Sequence, residues 1–386
     1  MKTSDKRILT THVGSLARPK RLLDIMKAKY AGQAYDSGAY EREITAAVAE
    51  VVAKQAECGI DVVADGEMSK PGFFVYVKER LEGFEPRPDK KHNLFAAEIA
   101  AFPEYYADYF GRAMLGGTVA PMTPLYCVGP VRYKGQAALK QDLDNLKAAV
   151  KRVDCVEAFV PATAPSGVGY NEYYKTEEEY INAVGEAMRA EYKAIVDAGF
   201  ILQVDDPFLS DIFADPTLDK KQMRKRADMY VEAINHSLRG IPPEKVRFHT
   251  CYCINEGPRI HEAALSDVAG HMLRVNAGAY SFEGANCRHE HEYHLWETVK
   301  LPAGKMVIPG VITHASNIVE HPELIAERLV RYAKLVGREN VMAGADCGFS
   351  SQATYRTEVH PTVIWAKFQS MAQGARIASK QLWGRA

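Results

Sequence analysis

Short runs rich in β-branched and aliphatic residues alternate with longer amphipathic stretches along almost the whole chain, and this alternation limits the fold more than any other feature. The short runs are Ile8–Ser15, Asp61–Asp65, Leu125–Gly129, Val156–Val160, Phe200–Asp205, Val246–Cys251, Ala279–Glu283, Met306–Val311 and Val341–Asp346. Between them, Glu41–Gly59, Lys134–Val153, Thr176–Gly199, Lys221–Arg239 and Glu323–Gly337 carry apolar residues at helical spacing with charge opposite. Several of these stop at glycine, as helix ends do. Repeated strand–helix units imply a parallel sheet of α/β type. At 386 residues the chain is long enough to close that sheet into a (β/α)8 TIM barrel. Nine candidate strands leave one to spare, read as Val156–Val160 or the first segment; a doubly wound open sheet is the alternative. The expected organisation is one barrel domain over 1–386. An aromatic and Gly-rich segment around 101–122, with weak periodicity, reads as an insertion: a lid, an association surface for a homodimer, or a loop packed on the barrel.

Polar residues terminate many of the strand candidates. Asp61–Asp65 runs into Gly66 and Glu67, Phe200–Val204 into Asp205 and Asp206, Val246–Phe248 into His249, Thr250 and Cys251, Ser281–Phe282 into Glu283, and Val341–Ala345 into Asp346 and Cys347. A strand that is apolar throughout and then ends in Asp, Glu, His or Cys is buried on both faces until that end. In a barrel these ends meet at one mouth, where active sites are built.

His249 and Cys251 are two residues apart on one strand, so their side chains share a face. With Glu283 and Cys347 from two further strands they form a set of two thiolates, one imidazole and one carboxylate, which suits tetrahedral Zn2+. The competing readings are ordinary ones. Cys251 and Cys347 would serve equally as buried structural thiols, and Cys253 shares the strand parity of Cys251. Arg288-His289-Glu290-His291-Glu292 looks metal-like, but alternate His and Glu more often cap or bridge a helix start. A cation at the mouth would lower the pKa of a bound thiol and leave its sulfur nucleophilic, which points to S-alkyl transfer, with Glu283 as the ligand that gives way to a substrate thiol.

These motifs bear a likeness along nearly the full length. TTHVGSLARP (10–19), VVADGEMSKPGFFVYVKERLEGF (62–84), VGPV (128–131), LQVDDPFLSD (202–211), FHTCYC (248–253), YSFEG (280–284) and MAGADCG (342–348) occur in one order. In them the chain resembles the catalytic barrel of cobalamin-independent methionine synthases, a methionine synthase/uroporphyrinogen decarboxylase type of barrel. The resemblance implies zinc on His249, Cys251, Glu283 and Cys347. It implies homocysteine as thiol acceptor, its carboxylate held by Val13, Gly14 and Ser15 and its ammonium by Glu67 and Asp205, for which barrel-mouth salt bridges are the plain alternative. It implies His314 as the acid that protonates the departing donor, with His321 structural.

Three departures leave the methyl donor open: no N-terminal duplicate barrel, no Trp in VGPVRYKG, and an extra PATAPSGVGYNEYY (161–174). Methyl-folate, an aryl methyl ether and a methyl-corrinoid stay open as donors, the last from a corrinoid protein as partner, as single-barrel relatives suggest. Similarity to epoxyalkane:coenzyme M transferases offers thiol addition to an epoxide, which would call for Arg18, Lys70 or Arg132 to meet a sulfonate. A metal-free decarboxylase-like barrel, or a zinc-binding module without activity, is the reading from other classes.

Composition excludes more than it selects. Lys+Arg number 48 and Asp+Glu 49, a balance that suits neither nucleic acid nor an anionic membrane as partner. No apolar run is long enough to span a bilayer, the N-terminus lacks a secretory h-region, and the seven cysteines do not read as a disulfide framework, so a cytoplasmic location is expected.

Overall fold

The computed structural model describes residues 1–90, 95–112, 117–252 and 255–384. Its strands, in chain order, are β1 (Leu9–Thr10), β2 (Val62–Val63), β3 (Leu81–Pro86), β4 (Leu125–Tyr133), β5 (Glu157–Thr163), β6 (Tyr170–Asn171), β7 (Ile201–Asp205), β8 (Val246–His249), β9 (Ala279–Phe282), β10 (Met306–Ile312) and β11 (Met342–Ala345). Eight of them form a sheet in the order β1-β11-β10-β9-β8-β7-β5-β2. Every pairing within it is parallel. A parallel bridge between Thr11 and Val62 joins its two edge strands, giving the TIM barrel. The helices Ser37–Glu57, Gln136–Val150, Glu177–Asp197, Lys220–Ser237, Pro322–Val336 and Pro361–Trp383 are among those that wrap it. Their apolar stripes are spent against the ring, as amphipathic helices require.

The spare strand is not the one expected. β5 pairs with both β2 and β7, and β1 pairs with β11, so Val156–Val160 and the first segment both belong to the ring. Leu125–Gly129 opens β4, which lies outside the ring in a small sheet, antiparallel to β3 and parallel to β6. The physical difference is in burial. β5 is buried along nearly its whole length, whereas β4 is largely half-buried or exposed, the habit of a ribbon with one wet face. Arg80, next to β3, fastens this ribbon to the barrel helices: it bonds Asp142 at 2.6 Å and faces Glu191, which also accepts from Tyr76 and Tyr133.

The segment 101–122 also differs from expectation. Pro103–Arg112 is a helix, not a loop. Phe102, Tyr105, Tyr106, Tyr109 and Phe110 recur at helical spacing, and Tyr106 and Tyr109 are buried in a separate aromatic cluster with Ile99.

The centre of the barrel is polar. Arg247, fully buried on β8, donates to Gln203 Oε1 at 2.6 Å and Thr11 Oγ1 at 2.9 Å, bonds the His12 carbonyl, and lies 3.7 Å over the Phe159 ring. His12 is also buried. Its Nε2 meets Gln55 Oε1 at 2.7 Å while its Nδ1 accepts the Gly14 N–H at 3.2 Å, which fixes a neutral tautomer. Burial, with Arg247 adding to it, pulls the His12 pKa down from 6.5 to about 3. Between these values the unfolded chain carries a proton that the native state refuses, so the contribution is present above pH 6.5 and is lost as pH falls. His12→Asn is expected to cost stability at pH 7.5, and the gap to wild type should narrow by about 2 kcal/mol at pH 5. Urea unfolding of both proteins at the two pH values measures this, and an unchanged gap would contradict it.

Candidate metal centre and substrate cleft

The strand ends converge as the alternation demands. His249 closes β8, Cys251 follows two residues on, and Cys347 follows β11. One donor atom from each of the three lies within 4.8 Å of the others, and all three side chains are buried. The two sulfurs are 3.3 Å apart. His249 Nδ1 faces Ser281 Oγ at 3.2 Å, and its Nε2 is buried with no hydrogen-bond partner. Burial opposes protonation of His249, but the Cys251 sulfur and Asp205 outweigh it and hold its pKa above the usual value. A buried, orphaned ring nitrogen beside two sulfurs is a donor set that fits a soft-to-borderline divalent metal.

Glu283 is not in that triad. It forms a second close group with His314 and Asp346, donor atoms again within 4.8 Å. Its carboxylate takes Arg259 Nη2 at 2.6 Å and Asn286 Nδ2 at 2.6 Å on one oxygen, and the Tyr252 N–H at 3.3 Å on the other. Burial pushes its pKa up against the pull of Arg259. Asp346 accepts the N–H groups of Gly284, Ala285 and Asn286 at 2.7, 2.8 and 2.9 Å, so it shapes the turn after β9. His314, 2% exposed, has an unpartnered Nδ1; burial first, then Arg259, lower its pKa to about 4 and keep it neutral.

The remaining predicted residues share one cleft with the triad. Val13, Ser15, Glu67 and Asp205 line it beside His249, Cys251 and Cys347. Gly14 adopts φ 137°, a left-handed conformation suited to glycine, and a side chain there would run into Pro161 and Glu67. Glu67 itself has φ 58°, unusual for a non-glycine residue and typical of functional sites. Its backbone is fixed by Asp65 Oδ1 at 2.9 Å and by Arg18 at 2.8 Å, and its buried Oε2 has no partner. Asp205 accepts from Gln203 at 2.7 Å, and burial raises its pKa to about 7.

Sequence reasoning missed Arg259 and Asn286, which hold Glu283, and Phe74 and Phe208, which make the apolar wall of the cleft. Arg259 sits in a stretch with no periodicity to flag it. FFVYV and DDPF did advertise the two aromatics, next to the motifs that were read. The His289–Glu292 cluster is structural: His289 bridges Glu262 at 3.0 Å and Glu292 at 2.7 Å, precedes the short helix Glu290–Glu297 without capping it, and stacks on Tyr252. His321 caps the helix Pro322–Val336. Cys253 lies outside the described residues.

A parallel barrel with a thiol- and imidazole-lined mouth defines a class of metal-centred barrel enzymes. Residues 137–367 match the family described as the catalytic domain of cobalamin-independent synthases, and the chain belongs to this family, the cobalamin-independent methionine synthases, which methylate homocysteine. It is 24% identical to methionine synthase of Sulfolobus acidocaldarius over 88% of this chain and 85% of that one. It is 24% identical to methionine synthase of Sulfurisphaera tokodaii over 97% and 93%. Its fold matches the structure of a B12-independent methionine synthase from Shewanella in complex with selenomethionine, with TM-score 0.74, 19% identity, and coverage of 98% of this chain and 100% of that one. The corrinoid protein considered from the sequence is therefore corrected: a cobalamin-independent family gives no reason to expect one. Among the described residues no helix is long and apolar enough to cross a membrane.

Gly310 shows how tightly the second group is built. A Cβ there would come within 2.7 Å of the Asp346 backbone. Gly310→Ala is expected to cost roughly 1–3 kcal/mol and to disturb the Gly284–Asn286 turn. Chemical denaturation checks the first effect, and wild-type stability would refute it.

Proposed function

We propose that this chain transfers a methyl group to homocysteine with Zn2+ at the mouth of the barrel, as a cytoplasmic enzyme. The observation that carries the reading is the His249–Cys251–Cys347 triad, buried and within 4.8 Å, in the same cleft as Glu67 and Asp205. His249, Cys251 and Cys347 would hold the zinc, with Glu283 as the fourth, exchangeable ligand. Zinc bound there supplies one thing: it acidifies a thiol brought to it and keeps that sulfur nucleophilic.

The protein's own groups do the rest. Glu67 and Asp205 receive the substrate ammonium; the cation would stabilise Asp205 as a carboxylate, against the burial that favours its acid form. The turn Val13–Ser15 offers the Ser15 hydroxyl, with the backbone N–H groups other than that of Gly14, which His12 takes, to the substrate carboxylate. Phe74 and Phe208 exclude water from the reacting sulfur. To act as the acid, His314 must first take up a proton; Asp346 beside it favours the imidazolium against the burial that lowers its pKa, and that proton would pass to the departing donor, leaving His314 neutral.

Coenzyme M as acceptor finds less support. Arg18 donates to the carbonyls of Ser350, Glu67 and Lys70, Lys70 donates to the Pro161 carbonyl, and Arg132 lies exposed on β4. The three cations weighed for a sulfonate are thus engaged or distant, although Arg356 does lie in the cleft wall.

Metal analysis of the purified protein should return about one zinc per chain, and Cys251→Ser or Cys347→Ser should lose most of it; full zinc content in both variants would refute the triad. Glu67→Gln should raise KM for homocysteine by about 10–100-fold with a smaller effect on kcat, as expected for lost charge-assisted bonds to the amine. Steady-state kinetics reads the split, with calorimetry against coenzyme M as the control for acceptor choice.

A further inference from the structure

Arg259 already holds one oxygen of the Glu283 carboxylate, so a metal drawing on this side chain would meet a cation bonded to it. Arg259 lies between β8 and the helix Leu265–Met272, 2% exposed, with φ 57°. Its Nη2 donates to Glu283 Oε2 at 2.6 Å while its Nε donates to Glu262 Oε1 at 2.6 Å. Glu262 is anchored from behind by His289 Nε2 at 3.0 Å, and His289 by Glu292 at 2.7 Å. The guanidinium is therefore aimed by a chain of groups that runs from Glu262 through His289 to Glu292. The triad lies near by: Glu283 Oε1 accepts the N–H of Tyr252, next to Cys251, and Asp346, grouped with Glu283 within 4.8 Å, precedes Cys347.

We infer that Arg259 is a positioning residue that competes with the metal for the Glu283 carboxylate, and that Glu262 sets how strongly it competes. The inference rests on the proposed metal site at His249, Cys251 and Cys347. A fixed guanidinium beside the carboxylate stabilises it in the detached position and opposes the approach of a second cation. It makes Glu283 the ligand that can leave. Glu262 shares the guanidinium, and so moderates its grip on Glu283. Two substitutions on either side of the same cation must then act in opposite directions, which a merely structural role would not produce.

The test is zinc affinity, measured on the full chain by competition with a chromophoric chelator, with circular dichroism to verify folding. Arg259→Met should bind zinc about tenfold more tightly than wild type, and Glu262→Gln, which leaves Arg259 with Glu283 alone, about tenfold more weakly. In a Glu283→Gln background, Arg259→Met should leave zinc affinity unchanged. Weaker zinc binding in folded Arg259→Met, tighter binding in Glu262→Gln, or an Arg259→Met effect that persists with Glu283→Gln would each overturn the inference. If Arg259→Met fails to fold, Glu262→Gln decides by its sign. Wild-type protein that takes up no zinc would refute the metal site and this inference together, whereas normal uptake with unaltered affinity in both variants would refute the inference alone.

Discussion

One guanidinium at the barrel axis organises the mouth above it. Arg247 has no carboxylate bonded to it among the described residues. It is instead solvated by protein: Gln203 on β7, Thr11 and the His12 carbonyl after β1, and the face of Phe159 on β5. Such a group is costly to bury and stays only where every donor is answered. The answers run upward. Gln203, fixed by Arg247, donates to Asp205, and His12, whose carbonyl Arg247 grips, opens the turn that carries Val13, Gly14 and Ser15. His249 stands two residues beyond Arg247 on the same strand face, so the charge that fixes Gln203 and the His12 turn also fixes the register of the first residue of the candidate metal triad.

Much of this architecture could be read from the chain because it is periodic. Strand–helix alternation gave the parallel ring, and the rule that strand ends meet at one mouth brought His249, Cys251, Cys347, Glu67 and Asp205 to one cleft. What failed is instructive. Val156–Val160 or the first segment reads from sequence as the spare strand, yet β5 is buried almost throughout, while the burial of Leu125–Gly129 is that of a ribbon outside the ring. Composition does not distinguish these, because the difference depends on which partner each strand finds. The aromatic helix Pro103–Arg112 was hidden in a similar way: its stripe of rings has helical spacing, but the polar and glycine residues nearby masked it.

The site was legible in its ligand types but not in its pairing. A sequence can say that three strands end in four zinc-compatible groups. It cannot say that the fourth, Glu283, is claimed by Arg259, because that arginine comes from an aperiodic connection and its orientation depends on Glu262, His289 and Glu292. The mouth is therefore two adjoining compartments, one with sulfur and imidazole, the other with carboxylates, amide hydrogens and a neutral His314. Their separation suits a reaction that needs a soft nucleophile on one side and proton traffic on the other.

The aromatic helix carries a consequence for how such a protein can diversify. Its rings satisfy one another rather than the barrel, and it is tied to the rest of the chain by polar links, Tyr109 to Glu358, Arg112 to Glu256, and Tyr106 to Glu98 of the preceding helix, which in turn accepts the His261 N–H. An appendage with private cohesion and removable tethers can be lengthened, shortened or recontoured without cost to the ring. Changes there can reach the cleft through Glu358, which lines it, while the strands hold the residues at the mouth in place.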